Sequence, residues 1–423
     1  MSIRTDRLPA ASVKPSKPSG TLRDLCVLGS IYTAQFMPGS FFGIALVAIL
    51  REQGVPLERL ALLYVFGMLM MLGIVWSPFV DRLRFGSLGH YRGWLILTQS
   101  VTVLSLVVIA QFDIEDDYMP TIWVGMVLAF VGAFGALATD ALACRLLPPE
   151  RRGLGNGIQV AGGFLGHLLG GGFLLALYPL VGWSLSITVL IVAAAIPLGL
   201  LVVLQKPDVS EDDGSPAPIG AHYRRFLRLW QAPGGWRWLV LILCYPLGVA
   251  VSQSVFKPML VDAKWSLAAI GLVANVLGAV AAMIGAMSGG WLVRHLGRRR
   301  LLRIIPLVQA ASIVPLLAVA AGYTGQTVVA VTAIVTMLAF SPGTAIIMTV
   351  AMDRVSAEHT GTDYALQSTA YFLGLLIAGM LGLQIAAAFG YSVTIAVGAA
   401  SCLVCAIVAF RQTAGESSLK LLD

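Results

Sequence analysis

The sequence divides into apolar runs that are each long enough to cross a lipid bilayer, and this feature constrains the fold most. About 20 apolar residues in a helix span the roughly 30 Å of hydrocarbon. Of the 423 residues, 58% are hydrophobic and 12% are charged, with a mean hydropathy of +0.85. A soluble domain has no interior that could hide so much apolar surface. We therefore predict an all-α polytopic membrane protein in contact with the lipid bilayer. The runs lie near residues 25–50, 60–80, 93–111, 120–143, 153–178, 184–204, 237–257, 268–292, 302–321, 327–351, 362–388 and 392–410.

These twelve predicted transmembrane helices fall into two sets of six. The polar stretch from Gln205 to Gly235 lies between the sets and divides the chain almost in half. The predicted organisation is a cytoplasmic tail at 1–24, an N-terminal six-helix half at 25–204, a cytoplasmic linker at 205–236, a C-terminal six-helix half at 237–410 and a cytoplasmic tail at 411–423.

Basic residues are distributed unevenly between the two predicted sides of the membrane. With the N-terminus inside, only Arg51, Arg59, Lys257 and Lys264 of the 28 Lys and Arg residues lie in external loops. Such an excess of basic residues on one side is the positive-inside bias of membrane proteins. We predict a multi-pass protein of the bacterial inner membrane with both termini cytoplasmic. The net charge of +7 then follows from topology, and the sequence gives no support for a nucleic-acid partner.

The two halves match each other at a fixed offset of 208 residues. Residues 150–153 align with 358–361, and the loop residues 89–92 align with 297–300. Parallel repeats of six spans, related by an axis along the membrane normal, are the arrangement of major-facilitator transporters. We therefore predict two pseudo-symmetric halves and a solute cavity between them, and we expect a transporter rather than an enzyme.

The loop after the second predicted span resembles the major-facilitator signature, usually written G-x-L-x-D-R-x-G-R-R. Residues 78–83 and 89–94 carry it with four extra residues, and 290–299 form a second copy in which Arg294 occupies the acidic position. The resemblance implies a cytoplasmic gate in which an aspartate pairs with arginines, and we expect it to be asymmetric. The alternative is that both loops only supply positive-inside charge. The predicted gate residues are Asp81, Arg82, Gly89, Arg92, Gly297 and Arg298.

Further motifs narrow the resemblance within the superfamily. Residues 76–82 and 91–99 resemble the branch that contains AmpG-type muropeptide permeases and RhtX/FptX-type siderophore permeases. Residues 139–147, 153–159 and 361–367 resemble the siderophore permeases more closely. This resemblance implies a single-chain importer of a siderophore or ferric-siderophore, which works as a monomer, is coupled to protons and uses no ATP. The chain also has no G-x-x-x-x-G-K-[ST] phosphate loop.

Three alternatives remain open from the sequence. The solute is a muropeptide or another amphiphile, or the protein exports a drug, or the chain is a non-transport membrane scaffold. Cys402 and Cys405 form a C-x-x-C inside an apolar run without a second pair of ligands. We read them as buried small residues rather than as a redox or metal site. No cofactor is predicted.

Ionisable residues inside predicted spans are functional candidates because burying their charge in a bilayer is costly. His167 lies midway along span five, and an imidazole titrates in the range that suits proton coupling. The alternative is a neutral histidine that is hydrogen-bonded within the bundle. Asp140, with Arg145 beyond it, and Asp363 are predicted either to carry a proton or to join a charge network at helix ends.

Polar and aromatic side chains on the predicted spans are candidates for the substrate cavity. Aromatic rings with scattered amides suit a bulky and weakly charged solute, and the lack of mid-membrane Lys or Arg argues against a strongly anionic one. The candidates are Gln35, Phe36, Phe42, Phe134, Asn156, Gln159, Tyr245, Ser252, Gln253, Phe256, Phe340 and Gln367.

Overall fold

The computed structural model describes residues 21–53, 55, 69, 73–83, 85, 88–114, 118–203, 229–231, 234–356 and 359–414. All regular elements in these ranges are helical, as predicted. In the N-terminal half they are α1 (Leu22–Ser40), α2 (Leu46–Glu52), α3 (Gly73–Arg82), α4 (His90–Ile109), α5 (Met119–Leu146), α6 (Pro149–His167) and α7 (Leu174–Val203).

In the C-terminal half, the first span consists of three short helices in succession, and the last four helices are each 23 residues or longer. Its helices are α8 (Gly235–Cys244), α9 (Leu247–Ser254), α10 (Phe256–Asp262), α11 (Leu267–Ile270), α12 (Gly278–Leu296), α13 (Arg298–Ala320), α14 (Gln326–Asp353), α15 (Thr360–Phe389) and α16 (Tyr391–Ala414). Single π-helical turns at Phe41–Ala45, Leu168–Phe173 and Gly271–Leu277 join consecutive helices within three of the spans.

Ten stretches of the described chain are long and apolar enough to cross a membrane. One of them, Pro149–Val203, contains two predicted spans, and its backbone breaks at Gly182 with φ 68° and ψ −173°. Glycine adopts a positive φ without steric cost, so the chain can turn there. The predicted span at 60–80 is described only at residue 69 and from residue 73 onward. Most of the predicted linker and tails lies outside the described residues.

The hydrophobic cores show that the two halves meet at one end of the bundle. A cluster there is shared by both halves and includes Leu28 and Tyr32 with Trp238 and Met352. At the other end each half has its own cluster, one around Phe41 and Phe42 and another around Phe256 and Ile313. We call the shared end the closed end. The sequence predicts that it faces the cytoplasm.

Glycines bring helices into close contact along α6. A Cβ on Gly166 would lie 2.5 Å from the carbonyl oxygen of Thr33 in α1, so no larger residue fits at that crossing. Close contact through small residues is typical of helix packing in membranes. Near the closed end, a Cβ on Gly157 would lie 2.7 Å from the Ala286 carbonyl oxygen in α12. The same helix therefore packs closely within its own half and against the other half.

Candidate functional site

Asp81, at the end of α3, holds the first residues of α15 across the boundary between the halves. Its Oδ1 accepts hydrogen bonds from the Tyr91 hydroxyl at 2.8 Å and from the Gly361 backbone N–H at 3.0 Å. Its Oδ2 accepts from the backbone N–H and the hydroxyl of Thr362, at 2.8 and 2.6 Å. The first N–H groups of a helix have no partner within the helix, and an anion there is also stabilised by the helix dipole. Asp81 thus acts as an N-terminal cap for a helix of the other half.

A second contact between the halves is built around Asp353, the last residue of α14. Arg152 of α6 donates to Asp353 Oδ1 at 2.7 Å, and it also donates to the Met352 carbonyl oxygen at 3.1 Å. Arg298 donates to Asp353 Oδ2 at 2.5 Å and bonds the Pro149 carbonyl oxygen of the N-terminal half. The carboxylate that the second signature loop lacks is therefore supplied by Asp353. Both halves have an acid at the closed end, in different positions.

The remaining predicted gate residues are Gly89, Gly297, Arg92 and Arg82, and they lie close to these contacts along the chain. Gly89 and Gly297 occupy equivalent positions with φ of 84° and 74°, a region that favours glycine. Arg92 donates to the carbonyl oxygens of Leu201 and Val202 near the end of α7, within its own half. Arg82 is the last residue of α3, next to Asp81.

A network of polar side chains lies beside the shared core and links the two halves through Asp140. The Asp140 Oδ1 accepts from the Tyr32 hydroxyl and from Gln159 Nε2, both at 2.9 Å. The hydroxyl of Tyr364, in α15, donates to Gln159 Oε1 at 3.1 Å and lies 3.4 Å from Asn156 Oδ1. Asn156 Nδ2 donates to the Arg152 carbonyl oxygen. One carboxylate in the interior is thereby connected through a single amide to a helix of the other half.

The four ionisable candidates are not brought together. Arg145 lies over the ring of Tyr91, 4.6 Å from its centre, and so belongs to the surroundings of Asp81. Asp363 is buried in the first turn of α15. Its Oδ2 accepts a hydrogen bond from the backbone N–H of Ser356, which precedes the helix. His167 lies farther along α6, with its ring 5.1 Å from that of Phe36. Asp140 alone among them joins the network that connects the halves.

A cavity of about 240 Å³ lies within the N-terminal half between α1, α4 and α5, and His167 of α6 also lines it. The predicted residues Gln35, Phe36 and Phe42 line it. Gln35 Nε2 donates to the Thr139 hydroxyl at 3.1 Å. The other lining residues are Ala34, Pro38, Gly39, Ser40, Thr98, Gln99, Thr102, Leu128, Ala129, Gly132 and Gly135. The exposed cavity wall is thus mainly apolar, although residues with hydroxyl and amide groups are among those that form it.

The other aromatic candidates lie in packed regions of the bundle. Phe134 stacks on Trp76 and Trp94, with ring centres 5.9 and 5.6 Å apart. Phe256 is buried in the separate core of the C-terminal half, and Phe340 packs against that core. These three rings stabilise helix packing, since each has close partners within its own half.

The polar candidates of the C-terminal half are also enclosed by protein. Ser252 is fully buried and donates to the Gly248 carbonyl oxygen at 3.0 Å. Gln367 accepts from Trp238 Nε1 at 2.7 Å. The Tyr245 hydroxyl and the Gln253 amide nitrogen are buried polar atoms without a hydrogen-bond partner. None of these four lines the cavity between α1, α4 and α5.

Several residues of the site were not among the sequence candidates. Tyr32 and Tyr364 complete the Asp140 network, and Arg152 with Asp353 forms the second contact between the halves. Gln99 lines the cavity from α4. The available signal for Gln99 is its place in a polar stripe with Thr98 and Thr102 inside an apolar run. No comparable local signal exists for a pair such as Arg152 and Asp353, 201 residues apart.

The family model of the Major Facilitator Superfamily matches residues 28–379 and 239–421. The chain belongs to this superfamily. It is accordingly a multi-pass membrane protein, and the all-helical major-facilitator fold predicted from the sequence is confirmed. The relatives and solved structures described next are transporters and permeases rather than enzymes.

Curated relatives give a narrower similarity. The chain is 30% identical over 285 residues to the anhydromuropeptide permease of Escherichia coli (strain K12), which covers 66% of this chain and 57% of the permease. It is 24% identical over 291 residues to "Putative transporter AmpG 4" of Rickettsia felis (strain ATCC VR-1525 / URRWXCal2), covering 65% and 70%. The chain thus matches a little over half the length of the Escherichia coli relative.

Solved structures agree on the fold. The transporter FucP in its outward conformation superimposes with a TM-score of 0.66 at 14% identity, covering 93% of this chain and 99% of FucP. A bacterial homologue of the iron transporter ferroportin, in an outward-facing state, gives 0.63 at 19% identity, covering 93% and 100%. At these identities the similarity establishes the fold alone.

Proposed function

We propose that this protein imports an anhydromuropeptide, or a closely similar sugar–peptide, across the bacterial inner membrane. The observation that carries the solute class is the 30% identity to the Escherichia coli anhydromuropeptide permease. The cavity of about 240 Å³ between α1, α4 and α5 has room for only a part of such a solute. Siderophore import, the leading expectation from the sequence, has no support among the relatives described above, whereas the muropeptide alternative does.

The contacts at the closed end support transport by alternating access. Asp81 and the Arg152–Asp353 pair both join one half to the other, so both must break before the halves can separate there. Hydrogen bonds to ionised groups contribute about 1.5–3 kcal/mol each, which is enough to hold one state without making it permanent. With the predicted orientation, the protein in this state is open to the periplasm and closed to the cytoplasm.

Asp140 is the residue that we expect to couple transport to protons. An ionisable group in the interior of a membrane protein is costly and typically functional. When Asp140 is ionised, its bond from Gln159 is charge-assisted and therefore about twice as strong as a neutral one. Protonation weakens this bond, and Gln159 in turn holds the Tyr364 hydroxyl of the other half. The proton on Asp140 thus controls a contact that must change when the halves move.

The test uses the full-length protein in proteoliposomes with an imposed pH gradient. Radiolabelled anhydromuropeptide should accumulate inside, and a protonophore should abolish this accumulation. Asp140→Asn should lose accumulation while still exchanging labelled for unlabelled solute across the membrane. The matched control is Asp113→Asn, which changes an exposed carboxyl beyond the end of α4 and should accumulate solute normally.

Two results would contradict the proposal in different ways. Transport of ferric siderophores but not of anhydromuropeptide would replace the solute class. Uphill accumulation by Asp140→Asn at the wild-type level would remove Asp140 from proton coupling and leave the solute class intact.

A further inference from the structure

We infer that the groove between α13 and α16 binds an anionic phospholipid from the membrane leaflet at the closed end. The headgroup phosphate lies against Arg300 and Arg303, and an acyl chain follows the apolar part of the groove. Both helices belong to the C-terminal half, so the inference does not depend on which solute is transported. It assigns a lipid site to a part of the molecule that the proposed transport mechanism does not use.

Two arginines of α13 tie this helix to the end of α16. Arg299 Nε donates to the Thr413 carbonyl oxygen at 2.7 Å. Arg303 donates to the same oxygen at 2.8 Å and to the Thr413 hydroxyl at 2.5 Å. The last carbonyl groups of a helix lack partners within it, and cations there are stabilised by the helix dipole. These bonds hold the Arg303 guanidinium between the two helices at the closed end.

Arg300 lies one turn before Arg303 on α13, and its side chain is exposed. It has no hydrogen bond or ion pair with any other residue that the structure describes. The internal repeat offers a comparison, because Arg300 aligns with Arg92 at the offset of 208 residues. Arg92 is buried and donates to carbonyl oxygens near the end of α7. In the C-terminal half, Arg299 and Arg303 make the equivalent contact with the end of α16, so Arg300 is left facing outward.

The rest of the groove has apolar walls. Positions three, four or seven residues apart share one face of a helix, so Leu307 and Val314 continue the face of the two outer arginines along α13. Leu403 and Phe410 share a face of α16 in the same way. These four apolar side chains are 42% to 57% exposed. The Arg303 guanidinium lies 5.3 Å from the centre of the Phe410 ring, which places the two walls side by side. The groove thus offers an apolar strip that ends at cationic groups.

The charge of the groove selects the class of lipid. The cytoplasmic end of α13 carries Arg298, Arg299, Arg300 and Arg303, and neither α13 nor α16 contains an Asp or a Glu. Of these four arginines, Arg298 is the one with an acidic partner among the described residues, namely Asp353. A basic pocket between membrane helices attracts anionic headgroups, whose phosphate accepts hydrogen bonds from guanidinium groups. A zwitterionic headgroup carries its own cation and gains less.

The test measures phospholipid binding to the purified full-length protein in detergent micelles by native mass spectrometry. Dioleoylphosphatidylglycerol should bind at least about fivefold more tightly than dioleoylphosphatidylcholine, because only the former has a net negative headgroup. Glycerol 3-phosphate has the same anionic chemistry without acyl chains, and a large excess of it should not displace the bound lipid. Equal binding of the two lipids would overturn the inference. Displacement by glycerol 3-phosphate would overturn it too, because the groove would then bind free anions.

Variants separate this groove from the general excess of basic charge at the closed end. Arg300→Gln should raise the Kd for phosphatidylglycerol about fivefold, which corresponds to about 1 kcal/mol for one basic group near the membrane surface. Arg300→Lys keeps the charge and should retain most of the affinity. The matched control is Arg23→Gln, which removes an exposed arginine from the first turn of α1 and should leave the Kd unchanged.

Thermal unfolding of the same preparations controls for folding. Arg300→Gln should keep the wild-type melting temperature without phosphatidylglycerol, because Arg300 has no partner among the described residues. Added phosphatidylglycerol should raise the melting temperature of wild type more than that of Arg300→Gln, since a ligand that binds only the folded state stabilises it. An unchanged Kd in Arg300→Gln, or an equal loss of affinity in Arg23→Gln, would overturn the site. Neither result bears on anhydromuropeptide import, which has its own assay.

Discussion

Removing the charge of Asp81 should weaken the closed end by an amount that follows from its hydrogen bonds. Three bonds join this carboxylate to α15, from the backbone N–H of Gly361 and from the backbone and hydroxyl of Thr362. Asp81→Asn keeps one acceptor oxygen, loses the charge and turns an NH₂ group toward donors. Combining the weaker bonds with the lost interaction at the helix N-terminus gives a cost of about 2–4 kcal/mol. At 1.4 kcal/mol per factor of ten, this is a shift of about 30- to 700-fold toward opening.

Hydrogen–deuterium exchange in nanodiscs measures this shift directly. The amides of Gly361 and Thr362 bond to Asp81, so a peptide covering 360–364 should exchange at least about 30-fold faster in Asp81→Asn. The matched control is Asp24→Asn, because Asp24 is also a helix-capping acid but bonds Thr21 within its own helix terminus. Unchanged exchange at 360–364 in Asp81→Asn would refute the argument that Asp81 holds the two halves together.

Three further predictions concern the packing and the polar network. Gly166→Ala should lower the stability by about 1–3 kcal/mol, because the new methyl group meets a backbone carbonyl of α1, whereas Gly199→Ala, in open space, should be nearly neutral in thermal unfolding. A double-mutant cycle of Arg152→Gln and Asp353→Asn should show a coupling energy of about 1–3 kcal/mol in chemical unfolding, and strict additivity would contradict the ion pair. Tyr364→Phe should speed exchange at 360–364 about three- to tenfold, less than Asp81→Asn, since it removes one neutral hydrogen bond.

The difference between the two contacts at the closed end shows how far motif comparison reaches. The sequence indicated that the second signature loop lacks its acid, because Arg294 stands at that position. It did not indicate that Asp353 would supply a carboxylate to Arg298 from another helix. A motif describes neighbours along the chain, whereas an ion pair needs only neighbours in space.

The cavity residues show a similar limit. Gln35 and Phe36, predicted for a substrate cavity between the halves, line a cavity within the N-terminal half, whereas Phe134, predicted for the same role, is stacked on Trp76 and Trp94. In a membrane helix, the faces toward lipid, toward other helices and toward a cavity are all largely apolar. Hydrophobic periodicity therefore does not distinguish a cavity-facing residue from a packed or lipid-facing one. The residue type alone is also a poor guide to which of these faces a side chain occupies.

The sequence by itself determined the helical class, the positions of the spans and the pairing of two similar halves. These follow from the length of apolar runs and from a repeat at fixed offset, which are properties of the chain read in order. The tertiary structure decided which helix faces meet, and so placed Asp81 on α15, Asp140 within reach of Tyr364 through Gln159, and Gln99 in a cavity wall. Those contacts join residues from 19 to 281 positions apart. They depend on how each helix is rotated about its axis and shifted along it relative to its neighbours. The sequence of a single helix does not specify this arrangement.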